Sequence, residues 1–148
     1  MLFRSYTTFV TALEREDIEA LSIALYRIPK TVEKIAERIM LAPQYVRGVN
    51  LSKQVTLLEQ AAEQVLALVK SLRKGLALDD VKTLNDHLQF LEGEADKAII
   101  DSYRELFNSD YEAVKVIFLK DLYELIEKVI DRCRDAGNVM AHIVLKNS

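Results

Sequence analysis

An all-helical fold, an antiparallel up-down four-helix bundle, is what this sequence predicts, and three observations predict it. Apolar residues recur every three or four positions along most of the chain, the period of a helix buried on one side. Only four Gly and two Pro interrupt 148 residues, so little of the chain is loop. Aromatic content is 7% and Trp is absent, which leaves Leu, Ile, Val and Ala as packing material and suits helices better than a sandwich. The length fits one domain, residues 1–148, with a core of its own.

The first helix is expected to start at a capping box, Thr11 with Glu14, and to reach about Leu41. Residues 1–10 are the least periodic part. The apolar face of this helix reads Ile18, Leu21, Leu25, Ile28, Val32, Ile35 and Ile39. Pro29 falls in the middle of that stripe, lacks an N–H and crowds the preceding turn. The stripe continues in phase, so a bend near Pro29 is expected and not a break. Residues 42–50, punctuated by Pro43 and Gly48, form the one substantial linker.

The second helix, Leu51 to Lys74, carries the cleanest stripe: Leu51, Val55, Leu58, Ala62, Val65, Val69 and Leu72. Its heptad regularity also suits pairing with a second copy. Gly75 is a plausible end signal behind Lys70, Arg73 and Lys74. Asp79 or Asp80 should cap the third helix, Val81 to Phe107, with Leu84, Leu88, Leu91, Ala95, Ile99 and Leu106 inside. Asn108 and Ser109 make a very short turn, and Ser109 with Glu112 forms another capping box for the last helix, which runs to Lys146. Phe118, Leu122, Leu125, Val129, Cys133, Ala136 and Met140 line its apolar face. A turn that short folds helices three and four into a hairpin.

Charge and cysteine usage narrow the function classes. The formal charge is -3, which offers no electrostatic reason to expect nucleic acid as a ligand. The single cysteine, Cys133, lies on an apolar stripe and reads as a small core residue; it excludes an intrachain disulfide and a cysteine metal cluster. No apolar run reaches the length of a membrane span, and the N-terminus lacks the pattern of a signal peptide, so a cytoplasmic location is expected. There is no phosphate loop, no Ser-His-Asp or Cys-His order, and no Glu-x-x-His signature of a diiron bundle.

The chemistry-bearing feature is acidic. Glu127, Asp131 and Asp135 stand at i,i+4 steps on the last helix, away from its apolar face, and each neighbouring pair places like charges one turn apart. Helix three carries Glu92 and Asp96 at the same step, with Glu94 nearby. Counting away from a two-residue turn puts Glu92 level with Glu127, and Asp131 level with His87 or Leu88. Two adjacent helices would then offer Glu92, Glu127, Asp131 and either His87 or Asp96 to one cation. Carboxylates in that number suit a hard or borderline ion, such as iron, zinc, manganese or magnesium, whose charge relieves their repulsion. A solvated face with Lys128 and Arg132 as counter-charges is the plainer account of the same residues. His142 reads as a rim histidine. Gly93 and Gly137 sit inside helices and read as places of close helix contact. A shift of 101 residues lays Leu21, Leu25, Ile28, Val32 and Ile35 on Leu122, Ile126, Val129, Cys133 and Ala136. Tyr26 and Lys30 then fall on Glu127 and Asp131, so the acidic line exists in one copy.

Three segments carry a family resemblance. EREDIEAL (Glu14 to Leu21), LEGEADKAIID (Leu91 to Asp101) and DLYELIEKVIDRCRDAGNVMAHIVLKNS (Asp121 to Ser148) resemble the PhoU-like proteins associated with Pit-type low-affinity phosphate transporters. The resemblance extends over most of the chain. It implies a PhoU-like helical bundle acting, without enzymatic activity, as an accessory or regulator of inorganic phosphate transport. The implied partner is a phosphate transporter or its regulators at the inner face of the membrane, with a homo-oligomer as the working state. In that family Glu/Asp-x-x-x-Asp motifs hold clusters of iron or other metals on the bundle surface. Matched residue by residue, they imply Glu92 with Asp96, and Glu127 with Asp131, with Asp135 outside the pair. The family has more chain before the REDI segment, including a first copy of the acidic helix, and Tyr26, Pro29 and Lys30 stand where its acidic residues would be expected. A symmetric two-cluster arrangement is therefore not implied. A scaffolding bundle without metal or phosphate role is the alternative, and a metal-dependent hydrolase is the third reading, in which the acidic cluster would activate water on a bound ion.

Overall fold

In the computed structural model the described residues are 14–75 and 77–147, and they form helices with no strand among them. Four long helices follow in order: α1 (Arg15–Leu41), α2 (Ser52–Arg73), α3 (Leu78–Phe107) and α4 (Ala113–Lys146). A single 3-10 turn, Pro43–Tyr45, lies in the linker between α1 and α2. The Thr11 side of the first expected capping box and residues 1–10 lie outside the described residues. Glu14 takes the N-cap position of α1 without a side-chain cap bond.

The last helix is the one the others share. α1, α2 and α3 all pack against α4, and α2 also packs against α3. Its sequence allows this because apolar residues cover more than one face. Leu119, Leu122, Ile126, Val129, Ile130, Cys133, Ala136, Met140, Ile143 and Val144 are all buried. Phe118 and Leu125 stand half-buried at the edge of that surface. Cys133 is fully enclosed, and burial pushes its thiol up to about 11, so it stays protonated and inert at neutral pH.

α3 contributes Leu88, Leu91, Ala95, Ile99 and Leu106 as expected, and adds Val81, Ala98 and Ser102. On α2 the buried line is Leu57, Ala61, Val65, Leu68 and Ser71. Val65 belongs to the expected stripe as well, and the other four lie one residue back along the helix from it, a rotation of about 100°. Of the expected stripe, Val55 is consequently 42% exposed and Ala62 faces solvent, while Leu58, Val69 and Leu72 stay half-buried against the core; Leu66, beside the stripe, is 53% exposed. On α1 the buried residues are Asp17, Ala24 and Thr31, spaced by seven, while Ile18 and Val32 lie outside. Small side chains at the centre let α1 come close to α4; Leu21, Leu25, Ile28, Ile35 and Ile39 pack from the flanks.

Three hydroxyls owe their interior positions to their own helices. Thr31 donates to the Arg27 carbonyl (2.7 Å), Ser71 to Ala67 (2.8 Å) and Ser102 to Ala98 (2.9 Å). Each satisfies its donor within one turn, so a polar residue can occupy an apolar line without a stranded hydrogen bond. α1 runs unbroken through Pro29, whose missing N–H leaves the turn before it one bond short.

The helix ends differ from the expected capping boxes. Asp79 and Asp80 lie in the first turn of α3, where their charge suits the dipole, and Ala77 holds the N-cap position. Ser109 donates to the Leu106 carbonyl (2.6 Å) and Asn108 to that of Arg104 (2.7 Å), so both close α3 and neither opens α4. α4 begins only after Glu112. Gly75 follows α2 at φ 67°, the left-handed conformation expected of its position.

Candidate metal site on the seam of α3 and α4

The seam is a ladder of polar contacts in which early residues of α4 meet late residues of α3. Nearest the connecting loop, Tyr103 donates to Glu124 (3.0 Å). At the far end Asn85 amide nitrogen meets Asn138 (3.3 Å) and Arg134 donates to Asn85 Oδ1 (2.7 Å). Beside this ladder Gly137 makes the closest approach. A Cβ built there would lie 2.5 Å from Asn85 Oδ1 and 2.6 Å from Leu88 Cδ1. The expectation of close helix contact holds for Gly137; Gly93 faces open space.

Between the two ends stand the acids. Asp96, Glu127 and Asp131 each present a carboxylate oxygen, and these atoms all lie within 4.8 Å of one another. Glu127 and Asp131 are half-buried and Asp96 is exposed. The i,i+4 step puts the two α4 residues on one side of the seam; α3 supplies the third across it.

Glu92 stands apart from this trio. It pairs with Arg134, whose Nε lies 3.3 Å from its Oε2. The reason is the loop: five residues, Asn108 to Glu112, separate the helices where a two-residue turn was expected. α4 therefore begins later, and the residue opposite Glu127 is Asp96, one turn or about 6 Å from Glu92. Asp131 shares that level and does not sit beside His87, which is exposed and stacks on Phe90 at 6.3 Å between ring centroids. Asp135, the outside candidate, pairs with Arg132 (3.4 Å).

Arg134 is the functional residue that sequence reasoning missed. With its side chain only 16% exposed, it ties Glu92 to Asn85 across the seam. The signal was available: Arg134 lies seven residues after Glu127 and three after Asp131, on the same helix face. Lys128 and Arg132 drew attention as nearer in sequence. Of these, Arg132 does act on the cluster, favouring the charged form of Asp131.

The trio is electrostatically strained when empty of positive charge. Burial, the shared hydrogen bond with Asp96 and the charges of Asp131, Asp96 and Glu124 push Glu127 up to about 7. Burial, then the carboxylates of Glu92, Asp96 and Asp135, push Asp131 up to about 6. Two carboxyls that resist ionisation near neutrality leave two ways to settle the site: retain a proton between Asp96 and Glu127, or bind a cation. Three oxygens at this separation suit a hard ion that completes its shell with water. A cavity of about 480 Å³, lined by Glu92, Gly93, Asp96, Arg134 and Asn138 among others, opens beside the trio and leaves room for such ligands.

The chain is similar to the UPF0111 protein YkaA of Bacillus subtilis (strain 168), with 24% identity over 140 residues, which is 95% of this chain and 68% of that protein. No family model matches the chain, and no solved structure matches it.

Proposed function

We propose that this chain is a PhoU-like accessory or regulatory protein of inorganic phosphate transport, acting by protein contact and binding a cation through Asp96, Glu127 and Asp131. The convergence of those three carboxylates within 4.8 Å carries the cation part of the reading. The phosphate part rests on the REDI, acidic and C-terminal segments that resemble PhoU-like proteins; the printed name of the Bacillus relative adds no activity. In this reading the fold is an up-down PhoU-like bundle, and Glu92, paired with Arg134, stands outside the ion's ligands. The ion would be iron, zinc, manganese or magnesium, and it would supply a fixed positive charge that locks α3 to α4. No enzymatic step is assigned to it.

An oligomer belongs to the same reading. The expected heptad line of α2 stands partly off the core, with Val55 and Ala62 exposed and Leu66 exposed beside them, and a second copy would cover it. Among the described residues no helix is long and apolar enough to cross a membrane, so contact with a transporter would be made at the membrane surface.

Titration of metal-free protein with Mn²⁺, monitored by calorimetry, tests the cation site. One strong site is expected, lost in the Glu127→Gln/Asp131→Asn double variant. Equal binding by parent and variant would falsify it. Capture of a co-expressed phosphate transporter from detergent extract tests the partner, and failure to enrich it over an unrelated transporter would remove the phosphate role. The scaffolding alternative has its own support in the Glu92–Arg134 pair and the proton shared by Asp96 and Glu127, which together can settle the seam without an ion. That alternative predicts no Mn²⁺ site and unchanged stability on chelation.

A further inference from the structure

A second cavity, of about 260 Å³, lies where the start of α2 meets α3 and α4. It shares no residue with the acidic trio. Its wall contains Lys53, Gln54, Asp101, Ser102, Glu105 and Tyr123. Two of these are spoken for within the protein: Gln54 donates to Ser102 (2.5 Å), and Ser102 in turn donates to the Ala98 carbonyl. They form the floor.

The other polar groups are not satisfied by one another. Tyr123 is 9% exposed and lines the cavity, and no residue among those described accepts a hydrogen bond from its hydroxyl. Burial, then the neighbouring Tyr111 and Glu105, push its phenol up, so it remains a protonated donor. Lys53, on α2, and Glu105, on α3, line the same space without forming an ion pair with each other. The N-terminus of α2 adds partial positive charge beside Lys53. Asn50 Oδ1 accepts from the Ser52 N–H (3.0 Å), and the helical ladder begins only at Val55, which bonds back to Leu51. The N–H groups of Lys53 and Gln54 fall between, outside the helix's own bonds.

The lining therefore joins positive charge from α2, negative charge from α3 and a hydroxyl donor from α4. We propose that it binds a small zwitterion. The anionic end, a carboxylate or phosphate, meets Lys53 and the first-turn amides of α2; the ammonium end meets Glu105 and Asp101; the Tyr123 hydroxyl donates to the anionic end. The volume falls below the range of about 300–1,000 Å³ usual for drug-sized ligands, which selects a molecule the size of an amino acid. Arg104 already pairs with Asp101 (3.2 Å), so Glu105 carries most of the recognition of the ammonium.

Calorimetric titration of the full chain tests this with β-alanine, 4-aminobutyrate and O-phosphoethanolamine as zwitterions, and acetate, inorganic phosphate and ethylammonium as their halves. At least one zwitterion is expected to bind about tenfold or more tightly than either of its halves, a difference of about 1.4 kcal/mol. Preference among the three separates a carboxylate ligand from a phosphate one. Lys53→Met and Glu105→Gln, both at exposed positions, should each weaken binding about tenfold, and Tyr123→Phe should weaken it by a smaller factor while keeping the ring in place. Halves that bind as well as the zwitterions, no heat from any probe at 10 mM (roughly the weak limit of recognition), or three variants that bind like the parent would each overturn the assignment.

Discussion

Glu127 is the residue on which the seam's behaviour turns. Its carboxyl is held up at about 7 by burial, by the hydrogen bond shared with Asp96 and by the charges of Asp131, Asp96 and Glu124. In the unfolded chain it titrates near the ordinary Glu value of about 4.3. Between those values the folded state binds more protons than the unfolded one. Stability from this group is thus present below about pH 4 and is lost as pH rises through about 7. Asp131, raised to about 6, acts in the same direction over a lower window. Glu127→Gln removes the titrating group while keeping its size. It should stabilise the protein at pH 8 by on the order of 1 kcal/mol, the full shift being discounted for solvent screening, and change little at pH 4. Thermal unfolding at the two pH values measures this. An equal shift at both would mean that charge is not what the substitution relieves. Saturating Mn²⁺ should flatten the pH dependence of the parent by taking the proton's place.

At the scale of elements, α3 and α4 are held by fit as much as by charge. A side chain at Gly137 would meet Asn85 and Leu88, and Asn85 cannot yield freely because Arg134 holds it at 2.7 Å. Gly137→Ala should therefore cost roughly 1–3 kcal/mol by urea denaturation, even though Ala favours helix by about 1 kcal/mol over Gly. A second comparison fixes which way α2 faces. Leu68→Ala, at a fully enclosed position, should cost about 2–5 kcal/mol, and Val55→Ala, on the expected stripe and 42% exposed, about 0.5 kcal/mol or less. The reverse order would return α2 to the heptad face read from its sequence. The expected stripe flanks the buried one because α2 carries two overlapping apolar lines that meet at Val65, with Leu58, Val69 and Leu72 packed from the side. The line that is buried includes Ala61 and Ser71, which a hydropathy stripe passes over. Ser71 hides its polarity by bonding to Ala67, a local event with no signature in the apolar pattern. α3 has one dominant line, and its buried residues were legible. The acids were legible as well, since the i,i+4 step fixes Glu127 and Asp131 on one face. Their partner across the seam was not, because it depends on where α4 starts. Ser109 looks like an N-cap and instead closes α3, and that difference moves the partner from Glu92 to Asp96.

For the whole molecule, the arrangement around α4 has a consequence in time. Arg38 meets Asp121 across 83 residues of sequence, and Glu14 meets Lys146 across 132. α1's close backbone neighbour is α4, so α1, made well before it, has to wait for α4 before it can bury Ala24 and Thr31. α2 and α3 face no such delay, being joined by a short connection. Loop closure over more than a hundred residues is entropically slow compared with closing such a connection. A chain still attached to the ribosome would therefore hold α2 and α3 together while leaving α1 unpaired, its half-apolar surface open to chaperones until the C-terminal turn that carries Lys146 has cleared the exit tunnel.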